Sequence, residues 1–91
     1  MTVKNTVLDI KVYLYPNNTI SYKLEENNST VDSCYDLSVC QIFDNREETV
    51  VLEDISRNRD EAIDMLYLFA RETVTAETAH IIMEELLCKI Q

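Results

Sequence analysis

Glycine is absent from the 91 residues of this chain, although an average usage of about 7% would supply roughly six. Close approach of the backbone to a phosphate group requires glycine, so the sequence excludes the Gly-rich loops that bind nucleotides. Asparagine and aspartate also tolerate a left-handed backbone, because their short side chains form local hydrogen bonds. We therefore expect the chain to turn at Asn17-Asn18, Asn27-Asn28 and Asp44-Asn45.

Long apolar runs are also missing. No stretch approaches the length of about 18 uncharged apolar residues that a transmembrane helix needs. The first segment contains Lys4, and Asp9 and Lys11 follow in an alternating stretch, which does not resemble the apolar run of an export signal. We therefore expect a cytoplasmic protein. A hydrophobic fraction of 46% in 91 residues is typical of one soluble domain, spanning residues 1–91.

Cysteine and basic residues are few. Cys34, Cys40 and Cys88 are an odd number without a C-x-x-C pair, which indicates neither a disulfide framework nor a zinc knuckle, so we expect reduced thiols. Lys and Arg number 8 against 17 Asp and Glu, for a net charge of −9. Nucleic-acid-binding proteins present a basic face, and anionic membranes attract basic segments. The charge therefore argues against direct binding to either. Ordinary acidic solubility is the stronger interpretation of this charge, although it could also steer the protein towards a basic protein partner.

The N-terminal half predicts two β-hairpins. Residues 7–15 and 20–25 alternate between apolar and polar, as half-buried strands do. A three-residue loop at Pro16-Asn17-Asn18 keeps the apolar residues of both strands on one face. That loop would place Leu14 opposite Ile20, Val12 opposite Tyr22 and Ile10 opposite Leu24.

The second hairpin is predicted around a two-residue turn at Asp44-Asn45, with strands near 33–43 and 47–53. This turn places Val39 opposite Val50 and Leu37 opposite Leu52. The other face of the pair carries Asp36, Ser38 and Cys40 among mixed residues and is expected to face solvent. The polar segment 25–30 is expected to be a mobile link between the hairpins.

After Ile55 the apolar spacing becomes helical. Asn58, with Glu61 three residues later, predicts the start of a first helix, and Thr75 is expected to cap a second. The expected apolar positions are Ile63, Leu66, Tyr67, Ala70, Ala62 and Phe69 in the first helix, and Ala79, Ile82, Met83, Leu86, Leu87 and Ile90 in the second. The short joint at 73–75 predicts neighbouring, roughly antiparallel helices. The fold class is therefore α+β: a four-stranded antiparallel sheet from two hairpins, followed by two helices packed on one face, ββββαα in two layers.

Four short motifs carry a resemblance to a known family. They are Tyr35-Asp36-Leu37, Val51-Leu52-Glu53-Asp54-Ile55-Ser56 before the first helix, Leu66 within it, and Val74-Thr75-Ala76-Glu77-Thr78-Ala79 opening the second. Through them, residues 33–87 resemble a family of short, uncharacterised bacterial proteins, mostly from Gram-positive anaerobes, known only as a domain of unknown function. Members often carry glycine in place of Asp36 and proline in place of Ala76. The resemblance implies a bacterial source and no activity, because the family has no assigned catalytic or binding residues.

Side chains suited to catalysis or metal binding are sparse. His80 is the single histidine, and without a nucleophile motif beside it we expect a structural role at the edge of the second helix's apolar stripe. The three cysteines and His80 are too scattered in sequence for a zinc site. Asp60 and Asp64 share a helical face and could bind a hard cation with a third ligand, but a solvated face is the stronger interpretation. We expect no catalytic residue, no cofactor, no metal site and no enzymatic activity.

Tyr13 and Tyr15, with Lys11 and Lys23, lie on the less apolar face of the first hairpin and are the candidate interaction surface. Equally, the tyrosines could pack on a partner chain or on a folded-back N-terminus. The first strand could also pair with its own copy in a homodimer.

The leading hypothesis is a non-enzymatic protein-interaction or regulatory module that binds through this face or through its acidic surface. The alternative is an acidic mimic of nucleic acid, such as a phage-type inhibitor, that occupies a basic protein partner. A minimal enzyme or metal protein ranks last.

Overall fold

The computed structural model describes residues 3–14, 16–28 and 33–90 of the chain. The elements are β1 (Val3–Leu14), β2 (Asn18–Asn28), β3 (Ser33–Phe43), β4 (Arg46–Ser56), α1 (Arg59–Arg71) and α2 (Ala79–Ile90). The strands form one antiparallel sheet in the order β1-β2-β3-β4, so every strand pairs with its neighbour in sequence. The predicted ββββαα fold is confirmed.

The second hairpin follows its prediction residue by residue. Val39 pairs with Val50 and Leu37 with Leu52. Asp44 and Asn45 have φ angles of 50° and 66°, which is the left-handed geometry that a two-residue primed turn requires at both positions. The short acidic and amide side chains therefore supply the conformation that glycine would otherwise supply. β4 extends to Ser56, beyond the expected end.

The first hairpin has a different register from the one predicted. Val12 pairs with Ile20 and Ile10 with Tyr22, so β1 is shifted by two residues against β2. β1 ends at Leu14 and β2 begins at Asn18, so three residues separate the strands as expected. Asn18, however, is paired with Leu14, and the left-handed residue is Asn17, with a φ of 62°. A shift of two residues leaves every side chain on the same face. Apolar alternation therefore predicted the faces correctly but could not distinguish these two registers.

The expected turn at Asn27-Asn28 is wrong. Both residues continue β2, where Asn27 pairs with Lys4 of β1 and with Cys34 of β3. β2 is an inner strand, and pairing on both of its sides outweighs the local turn preference of asparagine. Residues 29–32, between β2 and β3, lie outside the described residues.

The inner face of the sheet, as we call the face that packs on the helices, forms the core together with α1, α2 and their joint. Its buried apolar residues are Ile20, Tyr22, Leu24, Tyr35, Leu37, Val39, Leu52 and Ile55 from the sheet, and Ala62, Met65, Leu66, Phe69, Val74, Ala76, Ala79 and Met83 from the helical layer. Four half-buried residues of β1, Leu8, Ile10, Val12 and Leu14, extend this face to the edge of the sheet.

Helix α1 begins as predicted, and it buries Ala62, Leu66 and Phe69 of the expected apolar stripe. The Asn58 side-chain oxygen accepts a hydrogen bond from the Glu61 amide at 3.0 Å, which confirms the N-cap. Met65 is buried, whereas Tyr67, expected in the stripe, is 54% exposed. In α2, Leu87 is likewise exposed rather than buried. The side chain of Ile90 lies outside the described residues.

The joint between the helices starts with a tight helix end. The Thr73 amide donates to the Ala70 carbonyl at 3.3 Å and the Val74 amide to the Phe69 carbonyl at 3.0 Å, which is the pattern of a Schellman motif. Thr73 occupies the left-handed position of this motif, with a φ of 54°. Glycine is the usual residue there, and a β-branched side chain in this conformation is strained.

Two polar side chains of the inner face tie the sheet to this joint. The Tyr22 hydroxyl donates to the Val74 carbonyl at 2.6 Å, and burial raises the pKa of Tyr22 to about 12. Gln41 accepts a hydrogen bond from the Ala76 amide at 3.3 Å and donates to the Asn18 side chain at 3.2 Å. The Thr78 amide bonds the Thr75 hydroxyl at 3.4 Å, so Thr75 closes a turn, and regular helix starts at Ala79.

Candidate interaction surface

The outer face of the sheet lies opposite the helices. Directly opposed residues of antiparallel strands share a face, so the strand pairings define its rows. The rows are Tyr13-Thr19-Ile42-Glu47, Lys11-Ser21-Cys40-Thr49 and Asp9-Lys23-Ser38-Val51. Three large side chains on this face point into solvent: Tyr13 is 76% exposed, Ile42 46% and Val51 44%.

Three of the four residues predicted to form an interaction surface lie on the outer face. Lys11 is exposed next to Tyr13 along β1, and Lys23 is half-buried, directly opposite Asp9. The fourth, Tyr15, lies outside the described residues. The chain from Val3 onward is part of β1 and pairs with β2, so this part of the N-terminus does not fold back over Tyr13.

The charges of the outer face differ between its two sides. Lys11 and Lys23 lie on β1 and β2, with Asp9 between them. Glu47 lies on β4 and accepts a hydrogen bond from the Cys40 thiol, with 3.6 Å between sulfur and oxygen. Tyr13 and Val51 lie on the two edge strands and Ile42 on β3, with polar and charged side chains between them. The outer face is therefore a mixed surface of apolar, basic and acidic groups.

Asp36 is buried, contrary to the expectation that it faces solvent. Only 2% of the residue is exposed. Its Oδ1 accepts the Asp54 amide at 2.8 Å, and its Oδ2 lies 3.4 Å from the Lys4 ammonium. Asp54 has a φ of 51° in the irregular stretch where the β3–β4 register shifts between Tyr35 and Leu37. The carboxylate thus stabilises a β-bulge. In the sequence, Asp36 follows the ordinary apolar–polar alternation of residues 35–39, so no local signal distinguishes it from a solvent-facing residue.

Two other titratable groups near this end of the sheet have perturbed pKa values. Burial, and then the nearby carboxylates of Asp36 and Asp54, raise the pKa of the Cys34 thiol. On the inner side, the Tyr35 hydroxyl donates to the Glu26 carboxylate at 2.8 Å.

That bond is the largest cause lowering the pKa of Glu26, followed by a hydrogen bond from Asn28, and Arg59, 3.6 Å away, adds a smaller effect. The same bond raises the pKa of Tyr35. These contacts tie β2, β3 and α1 together.

The remaining candidate ligands are dispersed. His80 is exposed beside the buried Ala79 and borders a hollow of about 330 Å³ between β4 and α2, with Glu53 and Glu84. Cys34, Cys40 and Cys88 are free. Among the residues that the structure describes, no group of three His, Cys, Asp or Glu side chains is placed to hold a metal ion.

Neither helix in the described part of the chain is long and apolar enough to span a bilayer. Comparison with protein families, curated proteins and solved structures gives no match for this chain.

Proposed function

We propose that the protein is a non-enzymatic interaction or regulatory module that binds another protein through the outer face. The observation that supports this most directly is Tyr13, three-quarters exposed on a sheet face that the fold does not need for its core. Tyrosine presents a large apolar ring and a polar hydroxyl, and it is enriched at protein interfaces. Ile42 and Val51 add two exposed apolar side chains elsewhere on the same face.

The charges around this area would orient a partner. Lys11 and Lys23 on one side and Glu47 on the other favour one docking direction over its reverse, since like charges brought together cost binding energy. We also infer that the protein acts in the cytoplasm of a bacterium. The free cysteines fit a reducing compartment, and the family resemblance supports a bacterial source.

Affinity capture with matched tyrosine variants tests the proposal. Tyr13→Ala should weaken partner capture by about thirtyfold, because a tyrosine that anchors an interface contributes about 2 kcal/mol. Tyr67→Ala is the control, since Tyr67 is also an exposed tyrosine but lies on α1. Equal capture by wild type and Tyr13→Ala, or selective loss with Tyr67→Ala, would remove the outer face from consideration.

A second candidate function, an acidic mimic of nucleic acid that inhibits a basic protein, has its own supporting observation. Exposed carboxylates concentrate on β4, the joint and α2: Glu47, Glu48, Glu53, Asp54, Glu77, Glu84 and Glu85. Glu48 and Glu77 border one hollow, and Glu53 and Glu84 border the next. Carboxylates from the two layers therefore line the same side of the molecule, where Arg46 also borders the first hollow.

This second function predicts a different sensitivity to mutation. Glu53→Gln with Glu84→Gln should weaken binding to a basic partner, and added DNA should displace the protein, because both would occupy the same basic site. Tyr13→Ala should have no effect on that binding. If DNA does not compete and the glutamine variants bind normally, the mimic is ruled out.

A further inference from the structure

β1 is an edge strand with one open side. It is the first strand in the order β1-β2-β3-β4, and within the described ranges β2 is its only strand partner. The outward backbone amides and carbonyls of an edge strand are a template for another strand. The regular part of β1 begins at Leu8, because the pairing with β2 is irregular between Thr6 and Leu8.

The charges of this regular segment are arranged symmetrically about one residue. Asp9 and Lys11 flank Ile10, and both are exposed on the outer face. If a second copy pairs antiparallel about Ile10, Asp9 of each copy lies opposite Lys11 of the other. Leu8 then lies opposite Val12 on the inner face. One register thus gives two reciprocal ion pairs and matched apolar pairs.

The neighbouring registers are disfavoured by the same charges. A slip that keeps the faces changes the pairing by two residues, and it places either Asp9 opposite Asp9 or Lys11 opposite Lys11 at the dimer axis. A slip that changes the pairing by one residue brings apolar side chains opposite polar ones. The other edge strand, β4, carries Glu47, Glu48 and Glu53 against Arg46, so pairing of β4 with its own copy brings carboxylates together.

We propose that β1 pairs antiparallel with β1 of a second copy, centred on Ile10, to form a symmetric dimer with one eight-stranded sheet. Leu8, Ile10 and Val12 are half-buried in the single chain, and the second copy covers the part that remains exposed. The two outer faces become continuous, with one Tyr13 from each copy. This assembly does not depend on the proposed function.

Charge-reversal variants test the pairing by sedimentation velocity over a concentration series. Asp9→Lys places a lysine opposite Lys11 in both pairs, and Lys11→Asp places a carboxylate opposite Asp9 in both pairs. Each variant should therefore dimerise at least about tenfold more weakly than wild type. An equimolar mixture of the two restores both pairs and should form a heterodimer. The double variant Asp9→Lys with Lys11→Asp should dimerise like wild type.

The change in net charge of Asp9→Lys acts in the opposite direction to the loss of the ion pairs. Asp9→Lys reduces the magnitude of the net charge of −9, which by itself favours self-association. Weaker dimerisation of this variant therefore requires a local contact. Asp64→Lys changes the charge equally at an exposed position of α1 and is the control, with dimerisation expected to equal or exceed that of wild type.

A disulfide trap checks the register independently of charge. With Cys34, Cys40 and Cys88 replaced by serine, Ile10→Cys should cross-link to its own copy, because directly opposed strand residues lie within disulfide reach. Tyr13→Cys should not, since its own copy is several residues away in this register.

A wild type that stays monomeric at all concentrations would overturn the proposal. So would a variant mixture that fails to associate, or cross-linking that favours Tyr13→Cys. Growth beyond the dimer would also overturn it, because that outcome indicates open-ended pairing of β1 with β4.

Discussion

Replacing Tyr22 with phenylalanine removes one oxygen atom from the centre of the protein. That hydroxyl is fully buried and donates to the Val74 carbonyl at 2.6 Å. The variant loses a hydrogen bond and leaves a buried carbonyl without this donor, which together cost about 1–3 kcal/mol. We therefore expect the free energy of unfolding at pH 7 to fall by that amount.

The raised pKa of Tyr22 predicts how the difference in stability between wild type and the Tyr22→Phe variant changes with pH. The pKa of Tyr22 is raised from 10.0 to about 12 in the folded protein, so the folded state retains a proton that the unfolded state releases. The stability contributed by the neutral hydroxyl is complete below pH 10 and is lost as the pH rises from 10 to 12. A shift of this size corresponds to about 3 kcal/mol. The phenylalanine variant has no such loss, so the difference between the proteins should shrink above pH 10.

Urea unfolding followed by circular dichroism at several pH values measures this difference. All other side chains are common to the two proteins, so their contributions largely cancel in the comparison. Tyr67→Phe removes an exposed hydroxyl and should change stability by less than about 0.5 kcal/mol. A Tyr22→Phe difference that stays constant from pH 7 to 12 would refute the assigned role of the hydroxyl.

Three further predictions concern other positions. Thr73→Gly should stabilise the protein by about 1 kcal/mol in thermal unfolding, because relief of the strained backbone exceeds the entropic cost of glycine; destabilisation would contradict the assigned strain. Tyr35→Phe should destabilise the protein at neutral pH, because the variant lacks the hydrogen bond to Glu26. That bond lowers the pKa of Glu26 from its ordinary value of 4.5, so the difference in stability should shrink as the pH falls below 4.5. A Glu26 titration, followed by NMR, that is unchanged in the variant would contradict this role of Tyr35. Iodoacetamide should alkylate the exposed Cys88 before Cys34, because Cys34 is partly buried and its raised pKa leaves less of the reactive thiolate. The reverse order of modification in mass spectrometry would contradict the partial burial of Cys34.

The two hairpins show which parts of the fold the sequence determines locally. Asp44 and Asn45 combine a two-residue turn with alternating strands, and only one register satisfies both requirements. The first hairpin lacks that restriction, because two registers keep the apolar face intact. Asn27 has a strong turn preference, yet the strands on both sides of β2 hold it extended. Such pairing is a tertiary effect and does not appear in local sequence.

Helix and surface positions show the same limit. The α1 cap at Asn58 was predictable because it involves residues three apart, but the buried stripe depends on how the helix is rotated against the sheet. Tyr67 fits the apolar spacing and nevertheless points to solvent. The alternation of β3 predicts that Asp36 faces solvent, because the sequence of β3 does not reveal the bulge in its partner β4 that covers the carboxylate. Strand alternation correctly predicts that Lys11, Tyr13 and Lys23 share a face, since the face depends on alternation alone.

The strand order also has a consequence for folding kinetics. Because every strand pairs with its neighbour in sequence, each hairpin can close across a short loop, which lowers contact order and favours rapid formation of the sheet. The helices that cover the sheet come later in the chain, so during synthesis Ile20, Tyr22 and Leu37 remain exposed until α1 has left the ribosome. The nascent sheet is then most vulnerable to association with other chains.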